Sequence, residues 1–164
     1  MRPIRKFLAL DWSDRLYLLE AWLYLAASRL ALSSIPFRYL APRLGRQLPL
    51  EQGENPLAAS SVLARTLTNA VGVAARHTPW NSTCLVQAIA GRLILRRRGL
   101  SSRIFLGTRR DEKGNLAAHA WLQSGDEILL GAAGRETFTA LSSIGDPVPT
   151  PSALDTPAGG VLPF

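Results

Sequence analysis

The spacing of apolar positions changes once along the chain, from a helical period to a period of two. Asp11, with Asp14 three residues on, resembles a helix start, and Leu16, Leu19, Leu23, Ala26, Ala27 and Leu30 follow at helical spacing. Pro36 ends that helix or the segment after it. A short basic piece, Phe37 to Arg46, leads to a loop rich in Pro, Gly and acids from Leu48 to Pro56. Val62, Leu63, Leu67, Ala70, Val71 and Ala74 predict a second helix over Ala58 to Arg76, stopped by His77-Thr78-Pro79-Trp80. Ser82 is the expected cap of a third helix, Thr83 to Arg98. Leu85, Val86, Ile89, Ala90 and Leu93 form its buried face, and Gly99 takes the left-handed position at its end. Beyond Gly99, Arg103 to Thr108, Leu116 to Gln123 and Glu127 to Gly131 predict strands, with turns at Asp111-Glu112-Lys113-Gly114 and Ser124-Gly125-Asp126. The order is helices followed by an antiparallel meander, an α+β domain. We expect a helical region over 1–56, a core over 57–144, and an extended or disordered tail over 145–164, whose 20 residues include five prolines.

A chain of 164 residues with 47% apolar residues has the size of one domain and buries enough surface to need no disulfide or metal. Its one cysteine, Cys84, excludes an internal disulfide. With only His77 and His119 beside it, Cys84 does not complete a structural zinc site, so no metal and no cofactor are expected. The basic start, Met1 to Lys6, is followed by Asp11 and Asp14 and by no small-residue cleavage site, which predicts a cytoplasmic protein without a signal peptide. Leu16 to Leu32 approaches the length of a membrane span but contains Glu20 and Arg29. Each would cost roughly 2.5–3.5 kcal/mol at a bilayer centre, so a helix packed on protein is expected and no membrane span.

The net charge of +7 is uneven: 1–50 carries +5, 83–114 carries +6, and 115–164 carries −4. Seventeen of the 19 cations are Arg, and no aromatic platform is interleaved with them, so nucleic acid is not the expected partner. The Arg96-Arg97-Arg98 run falls where a helix ends, and cations there complement the negative pole of the macrodipole.

Two residues carry candidate chemistry. Cys84 falls at the start of the third helix, where unpaired backbone amides and the helix dipole favour a nucleophilic thiolate; the alternative is a buried structural cysteine. His119 lies in an apolar strand between small residues, Ala117-Ala118-His119-Ala120-Trp121-Leu122, and its alternative is a core histidine. A helix-borne Cys followed about 35 residues later by a strand-borne His is the order of one class of cysteine enzymes, in which the imidazole holds the thiolate and later protonates the leaving amine. Trp121 shares a strand face with His119 and either shields it or is core. Trp80 is either a staple on the helix or part of a substrate wall.

Trp80-Asn81-Ser82-Thr83-Cys84-Leu85-Val86-Gln87-Ala88, Arg96-Arg97-Arg98-Gly99, Ile104-Phe105-Leu106-Gly107-Thr108-Arg109 and Ala118-His119-Ala120-Trp121-Leu122 together resemble the lasso-peptide biosynthesis B-protein family, in its short, split form. The resemblance covers about residues 77–140, with Arg5-Lys6-Phe7-Leu8 and Leu16 to Leu32 also similar. It implies a transglutaminase-like, papain-like cysteine protease that removes the leader from a ribosomally made precursor peptide before cyclisation. It further implies Cys84 as nucleophile and His119 as base and acid, with the Cys84 amide and a donor near Trp80 or Asn81 stabilising the oxyanion. The implied partners are the precursor peptide, a separate small leader-binding protein and an asparagine-synthetase-like cyclase; no leader-recognition domain is expected within the chain. The third triad member is not identified. A hairpin turned at Ser124-Gly125-Asp126 sets Leu130, Gly131 or Ala132 against His119, so Gly131 stands where an Asp is expected. A backbone carbonyl, a water, or a tail acid such as Glu136 or Asp146 is left to hold the ring. The missing carboxylate keeps two other functions open, a transglutaminase-like acyltransferase and a noncatalytic scaffold that binds the leader or the cyclase.

Overall fold

The computed structural model describes residues 10–50, 62–110 and 114–146. The elements in order are α1 (Trp12–Ser34), α2 (Phe37–Leu44), β1 (Arg46–Leu48), α3 (Val62–Ala75), α4 (Cys84–Arg97), β2 (Arg103–Arg110), β3 (Leu116–Ser124), β4 (Glu127–Leu130) and β5 (Thr139–Gly145). The α+β class holds. The sheet has five strands in the order β1-β5-β2-β3-β4, every pair antiparallel. Three layers result: α1 packs on α3 and α4, and these two lie on one face of the sheet.

Alternation along the strands decides which side chains meet the helices. Ile104, Ala120, Leu122, Leu130 and Ile144 join the core of α3 and α4, whereas Phe105 and Trp121 are buried on the opposite face. At the centre of the helix side, Gly91 of α4 lets the leucines in. A Cβ there would lie 2.7 Å from Leu130 Cδ1 and 2.8 Å from Leu122 Cδ2. Gly99 takes the left-handed conformation (φ +69°) expected of it, and the Leu100 amide reaches back to the Leu95 carbonyl at 3.0 Å.

Several expectations are corrected. The basic piece Phe37 to Arg46 contains a helix, α2, and opens a strand, β1. The meander of three strands misses β1 and β5, which extend the sheet beyond β2. Strand β5 was hidden because Ile144 is its only large core side chain, while Ser143 is buried through its hydroxyl, which donates to the Leu48 carbonyl at 3.1 Å. Gly145 and Asp146 therefore belong to the fold rather than to a tail; residues 147–164, and 58–61 of the second predicted helix, lie outside the described residues. Helix α1 turns the other way from its predicted stripe. Ala21, Leu25 and Ser28 face α3 and α4, where small residues allow close approach, and the predicted positions Leu16, Leu19, Leu23 and Leu30 are exposed. Among the described residues no helix is long and apolar enough to cross a membrane.

Candidate active site

The segment from Arg76 to Thr83 presents the start of α4, and one hydroxyl ties it together. Thr78 Oγ1 lies 3.0 Å from the Ala75 carbonyl, 2.9 Å from the Trp80 carbonyl and 2.9 Å from Ser82 Oγ. Gln87, one turn into α4, donates from Nε2 to the Ser82 carbonyl at 2.8 Å. Ser82 is thus not the helix cap. Thr83 occupies that position without a side-chain capping bond, and Cys84 is the first helical residue, partly buried against the core. A first helical residue has an amide with no partner inside the helix. Trp80 leans on Trp22 of α1, ring centroids 5.2 Å apart, with its indole N–H buried and unpaired among the described residues.

His119 pairs with Gly107 of β2 and shares its face with Trp121. Trp121 is fully buried and stacked flat on Phe105, with centroids 5.5 Å apart and planes at 4°. The imidazole centroid lies 6.2 Å from that of Trp121 and 5.0 Å from that of Phe138. Two guanidinium groups cover this aromatic set, Arg135 5.3 Å above Trp121 and Arg109 5.0 Å above Phe138. Of these residues, Phe138 and Arg135 carried no motif by which the sequence could have marked them.

The partner of the ring is a backbone group. His119 Nε2 lies 2.8 Å from the Gly131 carbonyl oxygen. The hairpin turns on two residues, Gly125 and Asp126, since Ser124 faces Glu127. A register shift then sets Leu122 against Leu130, where β4 ends, so no strand residue pairs with His119 on that side. An Asp side chain has no room at 131. That residue has φ +76°, and a Cβ would sit 2.6 Å from the Ala120 carbonyl oxygen and 3.0 Å from the Trp121 Cα.

Neither tail acid serves in place of an Asp. Asp146 lies 3.0 Å from Nη2 of Arg92, a fully buried arginine in the middle of α4. Arg92 also donates to the Leu44 and Ser102 carbonyls, so one side chain joins α2, the start of β2 and the end of β5. Burial pushes this guanidinium below the ordinary arginine value, and Asp146 opposes that shift. Glu136 is exposed on the turn Arg135–Thr137.

Among the described residues no hydrogen bond joins the Cys84 thiol to the imidazole. The two residues lie in elements that pack together, α4 and β3, but His119 leaves β3 on the face opposite to Ala120 and Leu122, which meet the helices. No group of three or more His, Cys, Asp or Glu residues suited to a metal occurs among the described residues.

A family comparison bears on this arrangement: the sequence profile of the transglutaminase-like superfamily matches residues 31–143. The chain belongs to the transglutaminase-like superfamily. The match runs from the last part of α1 to β5 and so includes both Cys84 and His119. No match was found among curated proteins or solved structures. Membership in the transglutaminase-like superfamily is consistent with a cysteine peptidase or an acyltransferase, two outcomes of one acyl-enzyme chemistry.

Proposed function

We propose that this transglutaminase-like protein is a cysteine peptidase that cleaves the leader from a ribosomally made precursor peptide, in the manner of lasso-peptide biosynthesis. The observation that carries the reading is the His119 Nε2 contact to the Gly131 carbonyl, in a family member whose Cys84 opens a helix seated on the same sheet. A carbonyl accepts only from a protonated nitrogen, so Nε2 carries the proton and Nδ1 is left as the basic nitrogen for the thiol. His119 leaves β3 on the sheet face away from the helices, so this proton transfer requires the start of α4 and the imidazole to be brought together when substrate binds.

Cys84 transfers its proton to Nδ1 of His119, and the thiolate attacks the scissile carbonyl carbon. The unpaired amide of Cys84 donates to the resulting oxyanion. Collapse breaks the C–N bond, and the imidazolium returns the proton to the leaving amine. Water, deprotonated by the same imidazole, then hydrolyses the thioester and frees the thiol. An amine in place of water would give the acyltransferase outcome.

The partners of this reading are the precursor, a small leader-binding protein that raises the local substrate concentration to roughly the millimolar range, and an asparagine-synthetase-like cyclase that takes the product. Mass spectrometry of a candidate precursor incubated with the protein and the leader-binding partner tests it. Cys84→Ala should abolish cleavage, and His119→Ala should lower both cleavage and the alkylation rate of Cys84. Full cleavage by Cys84→Ala overturns the enzyme. Unchanged alkylation in His119→Ala, with no cleavage by the unmodified protein, favours the noncatalytic scaffold.

A further inference from the structure

Among the described residues, Arg38, Arg98, Arg109 and Arg135 hold their guanidinium groups over aromatic rings, and the last two differ from the others. Arg38, over Tyr39, also donates to the Tyr39 hydroxyl at 3.2 Å, and Arg98, over Tyr17, donates to Glu20 at 2.6 Å and 3.1 Å. Arg109 and Arg135 make the ring contact alone, and no carboxylate, carbonyl or hydroxyl takes their N–H groups among the described residues. Glu136, the acid next to Arg135 in sequence, is exposed and forms an ion pair with neither. A guanidinium over a ring face keeps its in-plane donors free for a planar anion.

The two rings beneath these cations are the ones that flank His119, Phe138 at 5.0 Å and Trp121 at 6.2 Å between centroids. Strand register explains part of this grouping. Gly107 pairs with His119, and Arg109, two residues on, leaves β2 on the same face. Trp121 is a fixed platform, stacked on Phe105 and lying across Gly107, where a Cβ would sit 2.9 Å from its Cζ3. An arginine held over such a ring loses less freedom when a ligand arrives. We propose, resting on the peptidase reading above, that Arg109 and Arg135 bind an acidic side chain of the peptide substrate next to His119 and so select a carboxylate beside the scissile bond. The imidazole has to reach the leaving amine, so a group bound one ring away from it belongs to a residue near that bond. Charge-assisted N–H···O bonds to a carboxylate are roughly twice as strong as those to a neutral amide, which gives the discrimination its source. Phosphate would satisfy the same donors, but a peptide of ordinary residues brings carboxylates.

The test uses the full chain as Cys84→Ala, so that binding is read without turnover. The probe is the capped peptide acetyl-Gly-Glu-Gly-amide, whose only charge is its side-chain carboxylate. The readout is the His119 Cε1–H signal in proton–carbon NMR at constant ionic strength, with the exposed His77 as internal reference. Titration should move the His119 signal and leave that of His77 in place. The same peptide with Gln for Glu should bind about tenfold more weakly, and so should the Glu peptide to Arg109→Gln/Arg135→Gln. Arg29→Gln/Arg97→Gln, which removes the same charge from exposed positions on α1 and α4, should bind as tightly as the unsubstituted arginines do. Equal binding of the Glu and Gln peptides overturns the inference. So does an equal loss in the two double variants, which would make attraction by net charge the cause. Inorganic phosphate displacing the peptide at a lower concentration than acetate does would overturn the carboxylate assignment. Carboxylate binding at His119 together with no cleavage by the unmodified protein would strike the peptidase reading and leave the carboxylate site standing.

Discussion

Helices α1 and α4 are built from similar residues and meet opposite fates. Helix α4 lies between α1, α3 and the sheet, and eight of its 14 residues are buried, among them Gly91 and Arg92. Helix α1 has 23 residues, of which three are buried. The difference is one of neighbours rather than of hydropathy. A central helix has partners on all sides, so even an arginine must be covered and satisfied, whereas an outer helix needs only one face.

The largest expected effect sets these two helices against each other directly. Leu95 in α4 is fully buried, and Leu95→Ala should cost about 2–5 kcal/mol through lost transfer energy and the cavity left behind. Leu23→Ala in α1, where the side chain is exposed, should cost under about 0.5 kcal/mol. Urea unfolding of the two variants checks the contrast; equal losses would mean that the outer face of α1 is covered within one chain.

Much of this contrast was beyond the reach of the sequence. Period gave α1, α3 and α4 and the strands β2, β3 and β4, since Leu67, Val71 and Ala74 or Ile104 and Leu122 are regularly placed. It failed on α1 because two apolar stripes compete there, and the larger residues are on the outer one. The inner stripe is built on Ala21 and Ser28, small residues that mark close helix packing and score poorly as hydrophobic. Strand β5 failed for a related reason, its buried Ser143 being satisfied by a hydrogen bond rather than by apolar contact. At the candidate site, Cys84 and His119 were legible as residue types in a motif, but the partner of the imidazole was not. A backbone carbonyl leaves no side chain to read, and Gly131 signals it only by having no room for one.

The next effect sharpens the comparison through charge. Arg92 is wholly buried and its one carboxylate partner is Asp146, while Arg98, at the end of α4, pairs with Glu20 of α1 at 2.6 Å and stays partly exposed. The hydrogen bonds that Arg98 donates to Glu20 hold its guanidinium above its ordinary value, whereas burial lowers Arg92. Asp146→Ala should therefore cost about 2 kcal/mol, since it leaves a buried cation with carbonyl partners alone. Glu20→Ala should cost about 0.5 kcal/mol, because water solvates Arg98 in its place. Comparable losses, read by thermal unfolding, would show that exposure does not separate the two pairs.

The smallest effect concerns the two helix starts. Both Asp11 before α1 and Thr83 before α4 are in extended conformation, and neither makes a side-chain capping bond. A hydroxyl or carboxylate that does cap a helix is worth about 1 kcal/mol, so both positions should fall below that. Asp11→Ala should still cost about 0.3–0.5 kcal/mol, because its charge sits at the positive end of the α1 dipole without needing a hydrogen bond. Thr83→Ala has no charge to lose and should be neutral within about 0.2 kcal/mol. That neutrality matters for the site, because the amides at the start of α4 stay unclaimed beside Cys84 only if the Thr83 hydroxyl does not take them. A loss of 1 kcal/mol or more in Thr83→Ala, measured by urea unfolding, would mean that the hydroxyl caps the helix in solution and competes with an oxyanion for the same donors.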